Sequence, residues 1–265
     1  MKLLLCLLAA ALLSVSARWP DAAPSKGHAP AKPDSGFAVI ELFTSEGCSS
    51  CPPADKVLAD LAAEYPGRVF AMGFHVDYWD RLGWKDRFSS SEYTQRQTDY
   101  ERLFSRNSPY TPQAVVNGTA DAVGSDKDKL EALVQAALKG DATAVLEAQA
   151  TADGPGRWKI RYHTNLPSPN GQTMEDAHMN FNRINAALVQ KDARSDVKGG
   201  ENKGNTLAHI NIVRAFTSEA YPKSGTGELT LKGPKDLAAA DARLFLYAQD
   251  PASGRVLKAV EVSLH

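Results

Sequence analysis

Cys48-Ser49-Ser50-Cys51 lies between an apolar run of strand character, Phe37-Ala38-Val39-Ile40-Glu41-Leu42-Phe43, and a segment where Val57, Leu58, Leu61 and Ala62 recur at helical spacing. A strand that feeds a helix through a Cys-x-x-Cys turn brings two thiols within disulfide reach. It also points backbone N–H groups and the positive end of the helix dipole at the first sulfur, favouring thiolate over thiol. Thiolate is the species that attacks disulfides. The feature reads as redox chemistry.

Cysteine usage along the rest of the chain sharpens that reading. Lys2 followed by an apolar stretch to Leu13, and then Val15-Ser16-Ala17, has the form of a secretory signal cleaved near Ala17. Its apolar core is too short for a span, and no other stretch approaches the roughly 20 apolar residues that one needs. The expected location is therefore secreted or periplasmic, with no membrane insertion after cleavage. Cys6 leaves with residues 1–17, and Cys48 and Cys51 are then the only two thiols. Exported proteins that use cysteines as staples carry several pairs at long separations. A single pair closing so tight a loop constrains little unfolded-chain entropy, so exchange explains it better than stapling.

The mature chain is nearly neutral, with 29 basic residues left after Lys2 against 31 acidic. It has no basic stripe for nucleic acid and no basic amphipathic segment for a membrane surface. Residues 18–36, rich in Pro, Ala, Ser and Lys, form a disordered leader in this reading. From 37 to 140 the pattern alternates. After the first strand and a helix over 49–64 comes the continuous apolar strand 68–76, of the buried parallel kind. Ser89-Ser90-Ser91-Glu92 opens a helix marked by Tyr93, Arg96, Tyr100 and Phe104. A short strand over 114–116 turns at Asn117-Gly118 toward Ala122-Val123, and Ser125-Asp126 caps a helix with Leu130, Leu133, Val134, Ala137 and Leu138 on one face. The order is β-α-β-α-β-β-α.

Residues 141–265 change character to strand-like runs at 144–150, 158–163, 184–190, 208–216, 244–248 and 256–262, a β-rich, sandwich-like pattern. Asp250 to Gly254 is a hairpin turn between the last two, and Ser195 to Asn205, with three glycines, reads as an exposed loop. The expected fold is thus an α/β domain over 37–140 followed by a β-rich C-terminal region.

The first half resembles thioredoxin. Phe43-Thr44-Ser45-Glu46-Gly47-Cys48-Ser49-Ser50-Cys51 is similar to the glutaredoxin redox turn, and Thr111-Pro112-Gln113-Ala114-Val115-Val116-Asn117-Gly118 to the glutaredoxin segment in which a cis proline faces the disulfide. Glu41 through Asp55, Phe74-His75-Val76-Asp77-Tyr78-Trp79-Asp80, Trp84-Lys85-Asp86, Tyr110-Thr111-Pro112-Gln113 and Gly200-Glu201-Asn202 resemble the secreted bacterial family catalogued as domain of unknown function 1223. That resemblance implies a thioredoxin-like domain with a β-rich tail and an exported location. It supplies no activity.

On these residues Cys48 is the expected nucleophile, the more exposed sulfur, and Cys51, one turn into the helix, resolves the mixed disulfide. Thr111 and Pro112 are expected to meet an incoming chain. Protein or small-molecule thiols and disulfides are the expected partners, and no cofactor or metal is called for. Two readings compete: a non-catalytic binding module on the same scaffold, and a copper-handling protein using both sulfurs with His75. Glu41 is either a proton shuttle for Cys51 or a paired structural acid. Asp77 and Asp80 fit turn capping as well as proton transfer. Tyr78, Trp79 and Trp84 line a docking groove or pin their own insertion. Asn117 also fits a glycosylation acceptor, although its turn geometry explains it.

Overall fold

A computed structural model describes residues 36–140, 144–166, 182–220, 222 and 224–264. The signal segment and the leader through residue 35 lie outside them. Gly36, the last residue assigned to the leader, is buried, and its carbonyl accepts two N–H donors from Arg68.

The elements are β1 (Ala38–Thr44), α1 (Pro52–Glu64), β2 (Val69–His75), α2 (Ser91–Leu103), β3 (Gln113–Val116), β4 (Ala120–Val123), α3 (Lys127–Leu138), β5 (Leu146–Ala152), β6 (Arg157–Thr164), β7 (Arg183–Asp196), β8 (Thr206–Ala220), β9 (Thr226–Lys232), β10 (Ala242–Gln249) and β11 (Val256–Val262). Among the described residues eleven strands make two sheets, one of eight in the order β11-β10-β7-β8-β2-β1-β3-β4 and one of three in the order β5-β6-β9. The molecule is a mixed α/β protein with one large sheet.

β1 and β2 run parallel in register from Ala38↔Val69 to Thr44↔His75, and every residue of both is buried. Burial on both faces is why these segments read as unbroken apolar runs without alternation. Ala38, Ile40 and Leu42 face α1 and α3 in a core with Leu58, Leu61, Leu130 and Val134. Val39 and Phe43 face the other way, into a core with Phe74, Tyr93, Tyr100, Phe245 and Tyr247. Ser90 is extended and its hydroxyl accepts from Glu92 N–H to start α2, while the Asp126 carboxylate accepts from Lys129 N–H to start α3. Asn117 and Gly118 both have positive φ, 46° and 69°, the geometry that suits the right-handed twist of a two-residue hairpin. The Asn117 side chain donates to Phe37 O and accepts from Val39 N–H, so it is a structural tie between β1 and the turn.

The β-rich half does not stand apart. β8 meets β2 in parallel at Ile212↔Gly73, so the segments before and after residue 140 share the large sheet. The small sheet packs on the far part of it, with Trp158, Ile160, Leu229 and Leu231 against Leu188, Leu244 and Leu246. This is the sandwich-like element of the sequence pattern.

Two expectations need correction. β9 was not among the expected strands, because Leu229 and Leu231 are its only large apolar residues and Gly227 interrupts the pattern. The 195–205 stretch is not a free loop. Val197 is fully buried, Asn202 is 3% exposed, and the connection lies on the cysteine turn. Its glycines permit contact: a Cβ on Gly199 would meet Gly83 O at 2.2 Å, and Gly200 packs on Gly47 and Trp84.

Candidate functional site

β1 ends at Thr44, and Ser45–Cys51 forms the turn into α1. Cys48 and Cys51 are joined by a disulfide with Cα atoms 5.4 Å apart. The helix starts at Pro52, later than the expected residue 49, so Cys51 is the residue flanking its first turn and not one turn inside it. Pro52 and Pro53 explain the shift: neither has an N–H to give an earlier turn, and proline suits the first helical position.

Cys48 Sγ lies 3.3 Å from Ser50 Oγ and receives Thr111 Oγ1 at 3.4 Å. The Thr111 hydroxyl in turn accepts from Trp79 Nε1 at 2.8 Å. The Thr111–Pro112 bond is cis, and Pro112 Cβ is one of the atoms that a side chain on Gly124 would strike. The structure therefore brings Cys48, Cys51 and Thr111 together across about 60 residues of sequence, as the motif order required.

The expected exposure of Cys48 is not found. Cys48 is 0% and Cys51 1% exposed. The β7–β8 connection is bonded to the turn that carries them. Asn202 Nδ2 donates to Glu46 O at 3.0 Å and to Cys48 O at 2.8 Å, and the Glu201 carboxylate accepts from Ser49 N–H at 3.0 Å and from the Ser49 hydroxyl at 2.7 Å. These partners are more than 150 residues away in sequence. Nothing near the Cys-x-x-Cys turn announces them, although Gly200-Glu201-Asn202 is present in the family resemblance.

Beneath the turn lies a buried set of titratable groups that sequence reasoning missed in large part. His209 Nδ1 is 3.2 Å from Asp55 Oδ2, and its Nε2 is 3.7 Å from Glu46 Oε1, an ion-pair distance and not a hydrogen bond. Glu46 Oε1 and His209 Nε2 accordingly have no hydrogen-bond partner among the described residues. Burial works against charge on His209, but its two carboxylate neighbours prevail and hold the imidazolium up to about 9. Burial likewise opposes the charge on Glu46, and His209 with Ser195 and Trp84 outweighs it, lowering that carboxyl. Asp86 is lowered to about 2: burial raises it, but His75 and the N–H groups of Glu46 and Phe88 overcome that penalty. His75 Nδ1 sits 2.7 Å from Asp86 Oδ2, and the His75 and His209 rings meet edge-on at 5.0 Å.

The remaining candidates sort by their partners. Glu41 is a paired structural acid: it takes both arms of Arg96, the Tyr100 hydroxyl at 2.7 Å and the Tyr247 hydroxyl at 3.2 Å. Asp77 and Thr94 bond each other, and Asp80 holds Lys85, Ser89 and the Asp86 N–H. Tyr78 donates to Gln97 and Trp84 to Glu46, so both rings pin the insertion. For the copper reading, His75 is committed to Asp86, and no group of three or more His, Cys, Asp or Glu among the described residues is arranged to hold a metal ion. No helix among the described residues is long and apolar enough to cross a membrane.

Residues 39–249 match the family described as a protein of unknown function, DUF1223, and the chain belongs to that family. Among solved structures it is similar to the Agrobacterium tumefaciens protein AGR_C_4864, at 26% identity over 84% of this chain and 92% of that one, with a TM-score of 0.58. It also aligns with a domain of the outer membrane lipoprotein Omp28 from Porphyromonas gingivalis at 15% identity, over 47% of this chain and 89% of that one, with a TM-score of 0.23, too low to bear on the fold. No curated protein matches.

Proposed function

We propose that this chain is an exported thiol–disulfide oxidoreductase-like protein on a thioredoxin-like scaffold, its Cys48–Cys51 pair stored oxidised beneath the 197–205 connection. The observation that carries the reading is the disulfide at the mouth of α1 with the Thr111 hydroxyl 3.4 Å from Cys48 Sγ. The strand order β2-β1-β3-β4, with α1 and α3 packed on one face, supports the scaffold. The form of residues 1–17 supports export.

In this reading a partner thiolate attacks Cys48 Sγ, the Cys48–Cys51 bond breaks, and Cys51 leaves as thiolate. A second partner thiol then displaces Cys48, leaving the partner disulfide oxidised and the pair reduced. The reverse sequence starts from Cys48 thiolate and ends with the pair oxidised. Either direction first requires Glu201 and Asn202 to release the turn, because no substrate sulfur reaches a fully buried Cys48. Protein or small-molecule thiols and disulfides are the partners.

The test is the reduction potential of the pair, read by alkylation after equilibration in dithiol buffers, together with insulin reduction by wild type and Cys48→Ser. A potential above about −300 mV, with turnover lost in the variant, is expected. A lower potential with equal inertness of both proteins overturns the reading. It would favour the second reading, a binding module with a structural bridge, to which the complete burial of both sulfurs is the specific support.

A further inference from the structure

Away from the cysteine turn, β8 interrupts its ladder with β7. Val213 pairs with Val189 and Ala215 with Leu188, which leaves Arg214 as the extra residue of a β-bulge. Bulges re-aim a side chain, and they concentrate beside functional sites. The Arg214 guanidinium carbon lies 5.1 Å from the Phe88 ring centroid, and that of Arg87 lies 4.5 Å from the same centroid. Both arginines line a cavity of about 570 Å³, within the range of ligand pockets, together with Lys232, Ser89, Thr217 and Thr230.

The charges in this cavity are not balanced. Arg87 donates to Arg194 O and Arg214 to Gln190 Oε1, both neutral acceptors. Glu92 is part of the lining and Asp236 attracts Arg214 from nearby; both acids are exposed, as Arg87 and Lys232 are, and neither makes an ion pair with these arginines among the described residues. Burial and the neighbouring Arg87 both disfavour charge on Arg214, against the pull of Asp236. Two guanidiniums on one aromatic ring, without an acid between them, gain by sharing an anion. Three cationic groups and the Thr217 and Thr230 hydroxyls offer more donors than the two oxygens of a carboxylate accept, whereas a tetrahedral dianion uses them; the Ser89 hydroxyl is committed to Asp80. We infer that this cavity binds a small molecule through a phosphoryl or sulfuryl group, with Arg87, Arg214 and Lys232 as the charge partners. Neither cysteine lines this cavity, although Phe88 also meets the His75 and His209 rings edge-on, and the assignment does not depend on the redox role of the pair.

The experiment titrates the mature protein by calorimetry, at low ionic strength, with inorganic phosphate, inorganic sulfate and succinate. Saturable one-to-one binding of phosphate or sulfate is expected, weakened at least tenfold by Arg214→Gln and by Lys232→Glu. Tighter phosphate binding identifies the phosphoryl source, and tighter sulfate binding the sulfuryl one. Lys232 is exposed, so its variant keeps the fold even if Arg214→Gln does not. Absence of saturable binding in wild type, unchanged affinity in Lys232→Glu, or succinate binding as tight as phosphate would overturn the assignment.

Discussion

Glu201 reaches from the β7–β8 connection to Ser49, accepting from its backbone N–H at 3.0 Å and its hydroxyl at 2.7 Å. Ser49 is the residue after Cys48, so a carboxylate of the protein itself occupies the N–H that a substrate chain would pass beside. A Cys48 thiolate would stand close to that negative charge. Repulsion between the two charges is expected to loosen this contact on reduction.

Replacing Glu201 by Ala is expected to raise the alkylation rate of Cys48 in the reduced protein at least tenfold, at little cost in stability because the pair is exposed. Asn202→Ala is expected to do the same and to cost about 1–3 kcal/mol, since the buried carbonyl of Glu46 loses its donor and that of Cys48 keeps only Cys51 N–H. Stopped-flow thiol titration and urea unfolding measure the two effects. An unchanged rate in both variants would show that the connection does not control access.

Gly199→Ala tests the same contact by sterics. The added Cβ would sit 2.2 Å from Gly83 O, backbone against backbone, so the connection must move away. A loss of about 1–3 kcal/mol is expected, with Cys48 alkylation faster than in wild type.

His209 predicts a pH dependence with a definite sign. Its folded pKa is raised from 6.5 to about 9 by Asp55 and Glu46 against the burial penalty, with His75 and Asp86 also facing the cluster. A raised folded pKa stabilises fully below the unfolded value and loses that stabilisation as pH climbs. Stability should fall between about pH 6.5 and 9 by an amount on the order of 3 kcal/mol. Denaturant midpoints at pH 6 and 9.5 should differ in wild type and converge in His209→Asn. On the acid side, Asp86 is lowered from 3.8 to about 2, so its contribution is present above pH 3.8 and lost as pH falls toward 2.

Arg96→Ala should be among the most destabilising single changes outside the apolar core. It leaves Glu41, 1% exposed, without its cation and Tyr247 without that partner. A loss of about 3–5 kcal/mol is expected, and Glu41→Gln in the same chain should recover part of it. Additive losses in the double variant would contradict this pairing.

Much of the first half was legible because its signals are local. The Ser90 and Asp126 caps, the Asn117-Gly118 turn and the unbroken apolar β2 each depend on residues within a few positions of one another. β9 was not legible because two leucines in seven residues give too weak an alternation. Of the two readings of Glu41, its hydrogen bonds fit the paired acid, but Arg96 and Tyr247 as its partners were beyond sequence reasoning.

The chain alone pointed to two sulfurs at a helix mouth, and its resemblance to the glutaredoxin segment put Thr111-Pro112 opposite them; the structure bridges the sulfurs and brings the Thr111 hydroxyl to Cys48. Tertiary structure decided whether those sulfurs are open. Asn202, Glu201 and His209 arrive from β8 and the connection before it, more than 150 residues away, and β8 lies parallel to β2, with Ile212 paired to Gly73. Burial of a short polar turn depends on which distant backbone lies against it. Local propensity carries no record of that approach.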